Sequence, residues 1–275
     1  MILICFGIPK SGSTALFNIC WHAAHSGIRQ SQNYRDVIRL SDVDPAFARY
    51  AHGFVSNKDD LGEIIDAVLT THDSQERLIF IKTHNSCQKT VRNFLQQEKV
   101  TGIGSFRHPA DVALSLIDAS FRDRAKGIER FSYFDLDSAA HVLPWFNKIY
   151  RSLFDDTNCI PVYYDWIAQA PEAVLGLITK RLNLVPDTAD VLGYFNSDKQ
   201  RYGEFNKGVT RRRLSELSPQ QVLDLAFQAP HLAGASLLYE NKFDCSDLAL
   251  PESVIDLAQL DSTDRARKKF AVKPS

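Results

Sequence analysis

Three short polar clusters hold most of the residues in this chain that could do chemistry. The first, Gly7-Ile8-Pro9-Lys10-Ser11-Gly12-Ser13-Thr14, combines two glycines, an ammonium and three hydroxyls. It lies between an apolar run, residues 2–6, and a stretch of helical character, residues 15–21. Strand, glycine-bearing loop and helix in that order make a phosphate cradle. The loop N–H groups turn inward, and the unpaired N–H groups of the first helical turn carry partial positive charge. The second cluster, Lys82-Thr83-His84, adds another ammonium and an imidazole, the side chain that exchanges a proton near neutral pH. The third, Arg107-His108-Pro109, puts a guanidinium just before a helix start, because proline suits the first helical position. An arginine there can grip a phosphate by two hydrogen bonds, beside further free N–H groups. Together these residues fit a protein that binds a phosphorylated ligand and moves a proton next to it.

The spacing of Gly7 and Gly12 fits the nucleoside-triphosphate loop G-x-x-x-x-G-K-[ST]. The lysine of that pattern is missing: Ser13 stands in its place, and the only lysine of the loop is Lys10. A cation at the loop tip still clamps a phosphate, but the usual γ-phosphate and magnesium chemistry loses its lysine. An ordinary glycine turn between strand and helix accounts for the loop taken by itself.

The elements that must carry these clusters alternate. Apolar, β-rich runs recur at residues 2–6, 78–81, 100–106 and 160–164, the third the weakest. Helical spacing lies between them: Leu61, Ile64, Ile65, Val68 and Leu69; Val91, Phe94 and Leu95; Val112, Leu116 and Ala119. Strands alternating with helices argue for an α/β fold, a parallel sheet with helices on both faces. In such folds ligands sit at the carboxyl ends of the strands. The four runs end in the Lys10 loop, Lys82-Thr83-His84, Arg107-His108 and Asp165 respectively, so the polar residues gather at that edge.

With 275 residues, 44% of them hydrophobic and 24% charged, the chain has an ordinary globular composition and length enough for one large core. One domain over residues 1–245 is expected, with a tail over 246–275 that is partly helical or frayed and carries the basic run at 265–269. A net charge of −1 gives no global field toward nucleic acid or an anionic membrane, so any anion site must be local. No apolar run is long enough to span a bilayer, and the apolar start lacks a basic leader and a cleavage site. Cys5, Cys20, Cys87, Cys159 and Cys245 are scattered, odd in number and without a C-x-x-C pair, which fits reduced thiols and a cytoplasmic protein. His22 and His25 can share a helix face, but no third ligand accompanies them, so no metal site is expected.

The displaced lysine marks a family. Pro9-Lys10-Ser11-Gly12-Ser13-Thr14 resembles the P-K-[ST]-G-[ST]-[ST] loop of sulfotransferases, which use 3′-phosphoadenosine 5′-phosphosulfate (PAPS). Lys82-Thr83-His84 resembles the K-T-H segment of the cytosolic members, whose histidine is the catalytic base with the lysine assisting. Residues 106–115, from Phe106-Arg107-His108-Pro109 to Ser115, resemble their [YF]-R-[ND]-P-x-D-x-x-x-S segment, whose arginine and serine hold the 3′-phosphate; His108 replaces the usual Asn or Asp. His141-Val142-Leu143-Pro144-Trp145 resembles an H-V-x-x-W helix, and Tyr163-Tyr164-Asp165-Trp166 stands where Y-E-D-L is common. Asn206-Lys207-Gly208 resembles the R-K-G segment that closes over the nucleotide, with Asn206 in place of arginine. The arginine run that follows reads as a solvated face at Arg212 and Arg213. Ala15 stands where the family often has a tryptophan that stacks on adenine, a part that Phe195 or another aromatic would have to take. The resemblance covers roughly residues 1–230, in the family's motif order.

The resemblance implies a three-layer P-loop-type fold and transfer of a sulfuryl group from PAPS to a hydroxyl or amine. It implies catalytic parts for Lys10, Lys82 and His84, and nucleotide contacts from Lys10, Ser11, Gly12, Ser13, Thr14, Arg107, Ser115, Tyr163, Lys207 and Gly208. Lysines supply the positive charge, so no metal is required. The acceptor would be a small molecule or glycan, with no nucleic acid or membrane partner; its identity and the oligomeric state are open. Residues 26–75 and 119–158 carry no cofactor motif and read as lids and acceptor walls, with Phe121, Phe131, Tyr133, Phe134 and Trp145 as core or pocket surface. Two alternatives stand beside this reading: a P-loop nucleotide kinase or NTPase, and a catalytically inactive nucleotide-binding protein of the same fold.

Overall fold

The computed structural model describes residues 1–31, 33–50, 53–56, 58–71, 76–85, 89–97, 100–154, 159–201 and 209–241, the side chains of 71, 197–201 and 241 excepted. Six strands form one parallel sheet: β1 (Ile2–Gly7), β2 (Asp36–Arg39), β3 (Phe54–Val55), β4 (Arg77–Thr83), β5 (Val100–Phe106) and β6 (Cys159–Tyr163). Their order is β2-β4-β1-β5-β6, and β3 pairs with β4. The four expected runs are thus β1, β4, β5 and β6. The helices are α1 (Ser13–Gly27), α2 (Leu61–Thr71), α3 (Lys89–Leu95), α4 (Pro109–Ala125), α5 (Leu136–Ala140), α6 (Leu143–Phe154), α7 (Tyr164–Gln169), α8 (Pro171–Leu182), α9 (Thr188–Arg201), α10 (Arg213–Glu216), α11 (Pro219–Gln228) and α12 (Pro230–Asn241).

The central strands are buried along their whole length, which is why they read as continuous apolar runs rather than alternating ones. Phe6, Phe80 and Phe106 are fully buried on β1, β4 and β5. Phe80 meets Phe17 and Trp21 of α1 edge-on, with ring centroids 5.9 and 5.3 Å apart. Phe106 meets Tyr150 and Phe154 of α6 and Tyr239 of α12. β5 looked weak in the sequence because of Gly102 and Gly104. A Cβ on Gly104 would come within 3.0 Å of Phe154 Cζ, and one on Gly102 within 3.1 Å of Leu95 Cδ2, so the glycines let α6 and α3 lie close against the sheet.

One expectation is corrected here. The segment 26–75 is not only lid: it supplies β2 and β3, which occupy successive parts of the same edge of β4, at Asp36↔Arg77 through Arg39↔Phe80 and then Phe54↔Lys82 and Val55↔Thr83. Val37, Leu40, Tyr50 and Val55 from this segment are buried.

The strand ends are level. Phe6 pairs with Thr83, Gly7 with Ser105 and Phe106 with Tyr163, so the residues that follow β4, β1, β5 and β6 emerge side by side along one edge of the sheet. The chain goes to one side of β1 for β2, β3 and β4, then to the other for β5 and β6, which places the switch point at β1. The domain boundary at 245 and the tail over 246–275 fall outside the described residues. Among those residues, no helix is long and apolar enough to cross a membrane.

Candidate active site at the carboxyl edge of the sheet

The loop after β1 has a geometry that few residues allow. Lys10 and Gly12 both take left-handed backbone conformations, with φ of 67° and 84°. Left-handed residues in a loop that runs into a helix fold its N–H groups into a concave, anion-binding surface. Gly12 also packs against Tyr164, where a Cβ would come within 2.8 Å of Cδ2. Gly7 is fixed by space alone: a Cβ there would stand 2.0 Å from the Cβ of Ser13, because the loop folds back on the end of β1. Helix α1 begins with no side-chain cap and no acidic residue in its first turn, so its end keeps an unneutralised positive potential.

The side chains of the loop divide between framework and opening. The Ser11 hydroxyl is fully buried, 2.6 Å from the Ile8 carbonyl oxygen and 2.8 and 2.9 Å from Oγ and O of Ser105. It ties the loop to β5. Thr14 Oγ1 accepts a hydrogen bond from Lys82 Nζ at 2.8 Å, which joins the first cluster to the second. Lys10 Nζ lies 4.5 Å from the ring centroid of Phe131, a favourable cation–π distance. His84, just past β4, bonds through Nδ1 to the carbonyl oxygen of Gly7. A carbonyl only accepts, so Nδ1 carries the proton and Nε2 keeps its lone pair. Phe54 packs edge-on to the same imidazole, 5.4 Å away.

The third cluster stands on β5 and α4. His108 is the N-cap of α4: its Nδ1 accepts from the Ala110 N–H at 3.2 Å, and Pro109 follows at the first helical position. Asn and Asp cap helices by the same acceptor geometry, which accounts for histidine at this place. Burial, with Arg213 and Arg107 nearby, holds His108 well below the ordinary histidine pKa, so it stays neutral and able to accept. Arg107 is 4% exposed. Its guanidinium carbon lies 4.0 Å from the ring centroid of Tyr164, it donates to the Val209 carbonyl at 3.1 Å, and its Nε is buried with no hydrogen-bond partner. Ser115 lies within the first two turns of α4 and is 5% exposed. Lys10, Gly12, Ser13, Thr14, Lys82, His84 and Arg107 thus stand on one edge of the sheet, while Ser11 serves the loop's frame.

Tyr163 is placed differently from its neighbour. It ends β6, is fully buried, and donates its hydroxyl to Glu240 of α12. Tyr164 opens α7, between Gly12 and Arg107. Adjacent residues at a strand end point to opposite sides, so the pair Tyr163-Tyr164 carries two unlike roles and sequence alone does not assign them. Phe195 is 1% exposed on α9 and belongs to the core. Asn206, Lys207 and Gly208 lie outside the described residues.

The arginine run is not a solvated face. Arg212 and Arg213 are 6% and 3% exposed. Arg212 pairs with Asp118 at 2.7 Å and with both oxygens of Glu216. Arg213 pairs with Asp111 and Glu240, each at 2.6 Å, and its backbone N–H donates to Asp111 as well. The carboxylates come from α4, α10 and α12, so these two arginines tie the start of α10 to α4 and α12. Arg211, with a left-handed φ of 54°, reaches Asp165 at 3.2 Å. Among the described residues no cluster of three or more His, Cys, Asp or Glu is placed to hold a metal ion.

No family model matches the chain, and no curated protein matches it in sequence. Solved structures do match in fold. A mouse sulfotransferase, SULT7A1, complexed with PAP, superposes with a TM-score of 0.57 at 16% identity, over 87% of this chain and 88% of that one. Retinol dehydratase in complex with retinol and PAP gives 0.50 at 14% identity, over 84% and 80%. The same protein with androsterone and PAP gives 0.50 at 16%, over 92% and 83%. By its parallel sheet, its strand order and these superpositions, the chain is built on the sulfotransferase fold.

Proposed function

We propose that this protein transfers a sulfuryl group from PAPS to a hydroxyl or amine of an acceptor. The observation that carries the reading is the convergence at β1: Lys82 on Thr14, His84 on the Gly7 carbonyl, and Lys10 in the loop between them. The chain's residues fit the nucleotide. Two separate places on this edge suit an anion, one at the uncapped start of α1 and one at Arg107, whose buried Nε lacks a partner, and they support this reading. A nucleotide with phosphates at both the 5′ and 3′ positions needs two such positions. The 5′ group would be held by Lys10 and the N–H groups of Gly12, Ser13 and Thr14, and the 3′ group by Arg107 with Ser115. Tyr164, between the two, would wall the nucleoside.

The donor supplies the sulfuryl group and a leaving phosphate. In-line group transfer of this kind asks a protein for positioning and for charge stabilisation. Lys10 and Lys82 provide positive charge where negative charge grows. The Gly7 carbonyl fixes the imidazole of His84 in the tautomer whose Nε2 carries no proton and can take one from the acceptor. Lys207 and Gly208 would complete the nucleotide site.

Titration calorimetry without magnesium tests the nucleotide half of the reading. Adenosine 3′,5′-bisphosphate should bind far more tightly than adenosine 5′-monophosphate, and equal affinities would refute it. Labelled PAPS offered with phenolic, alcoholic, amine and sugar acceptors tests the transfer. Label in none of them, with the bisphosphate bound tightly, would leave a binding protein.

A further inference from the structure

Arg107 is not the only guanidinium at the second anion position. Asp165 follows β6 and is 1% exposed. One of its oxygens, Oδ2, takes the Nε of Arg211 at 3.2 Å; the other, Oδ1, is buried without a hydrogen-bond partner. Arg107 also acts on this carboxylate, and it is held by the carbonyl of Val209, two residues before Arg211. One guanidinium therefore bonds this carboxylate and a second acts on its charge, and each partner keeps a buried atom without a hydrogen bond: Nε of Arg107 and Oδ1 of Asp165. Arg211 has the slack to move: its side chain is 39% exposed, whereas Arg212 and Arg213 beside it are locked into buried pairs.

We propose that Arg211 is a second specificity residue for the phosphate that Arg107 holds, and that it leaves Asp165 to close on that phosphate. The proposal rests on the nucleotide reading above. In the absence of the ligand, Asp165 occupies the guanidinium that the phosphate later takes. Asp165 is already reluctant to ionise. Burial pushes it up to about 6, against the hydrogen bond from Arg211, with Glu240 and Asp111 raising it further and Arg107 lowering it. Tyr163 and Tyr164 are the other titratable groups that face it. Loss of the Arg211 bond and arrival of a phosphate dianion both favour the neutral carboxyl, so the exchange should draw a proton onto Asp165. The freed carboxyl then donates rather than repels.

The test is calorimetry on the full chain with adenosine 3′,5′-bisphosphate and adenosine 5′-monophosphate, for the wild type, Arg211→Gln, Arg211→Lys and Asp165→Asn. Arg211→Gln should weaken the bisphosphate by about tenfold to a hundredfold, the worth of a hydrogen bond to a charged group, and leave the monophosphate nearly unchanged. Arg211→Lys should recover part of the loss. Asp165→Asn separates the two roles of the carboxylate: a competitor's removal keeps or raises bisphosphate affinity, whereas removal of a structural anchor for Arg107 lowers it. In paired buffers of different ionisation enthalpy, the wild type should take up more protons on binding the bisphosphate than Asp165→Asn does. Unchanged discrimination in Arg211→Gln, an equal loss for both nucleotides, or weaker bisphosphate binding in Asp165→Asn would each overturn the proposal. A wild type that does not discriminate the nucleotides overturns the nucleotide reading itself, and this one with it.

Discussion

Replacing His108 by asparagine should change how stability depends on pH. His108 caps α4 through an unprotonated Nδ1, is 2% exposed, and has Arg107 and Arg213 as neighbours that lower its pKa further. A proton on Nδ1 would end the cap and add a third buried cation. The unfolded chain takes that proton near pH ~6.5 and the folded chain does not, so stability is lost as pH falls below that point, at up to about 1.4 kcal/mol per pH unit. Between pH 7.5 and 5.5 this amounts to up to about 1.4 kcal/mol. Asp165 works in the opposite direction. Its pKa is raised to about 6, so its contribution is present at low pH and is lost as pH rises through that value. Over the same interval, acidification returns about 0.8 kcal/mol through Asp165. These two groups leave a net loss of up to about 0.6 kcal/mol, and His25, whose pKa is also lowered, acts in the same direction as His108, so the wild-type profile alone does not isolate the cap. The difference between His108→Asn and wild type isolates the histidine. Asparagine caps without titrating, so the variant should gain up to about 1.4 kcal/mol on the wild type between pH 7.5 and 5.5, whatever constant offset the smaller side chain introduces. Urea denaturation at several pH values measures this. A difference that stays constant within about 0.3 kcal/mol over that range would refute the argument that His108 is a buried, neutral cap.

Two further changes test the loop and the base. Lys10→Gly should stabilise the fold, because the lysine sits at a φ of 67°, a conformation that costs a non-glycine residue roughly 1 kcal/mol, while bisphosphate affinity falls. A rise in melting temperature with unchanged affinity would make Lys10 a mere turn residue. His84→Ala should keep the nucleotide within a few-fold yet lose on the order of a hundredfold or more in turnover of an alcohol acceptor. Near-normal turnover would move the base elsewhere, and His108, which caps α4 and stays neutral, is placed to hold a helix rather than to replace it.

The parts of this fold that could be read in the sequence are those fixed by short-range pattern. β1, β4, β5 and β6 are buried on both faces and so appear as apolar runs, and the polar residues that follow them stand together because the strand ends are level. β2 and β3 escaped because they are four and two residues long and their ends, exposed Asp36 and Phe54 and half-buried Arg39, break the pattern. Nothing local to them says that they extend β4; that pairing is a property of the whole sheet.

The candidate site divides the same way. The loop, Lys82-Thr83-His84 and Arg107 are legible because their glycines, hydroxyls and cations stand at fixed short spacing within single strand-end segments. The arginines at 211–213 were not, because what decides their role lies 46, 94 and 102 residues away, at Asp165, Asp118 and Asp111. A run of like charges predicts mutual repulsion and a solvated face unless each member finds its own carboxylate. Here each does, and the outcome differs by degree of burial. Arg212 and Arg213 are enclosed, so breaking either pair would strand a charge inside the protein, and their pairs are structural. Arg211 is the most exposed of the three, and it shares its partner's surroundings with Arg107. Its partner Asp165 is buried too, but burial already raises that carboxyl's pKa to about 6, so it can take a proton when the guanidinium leaves, which is why the proposed role falls on Arg211 and not on the neighbours with the stronger pairs.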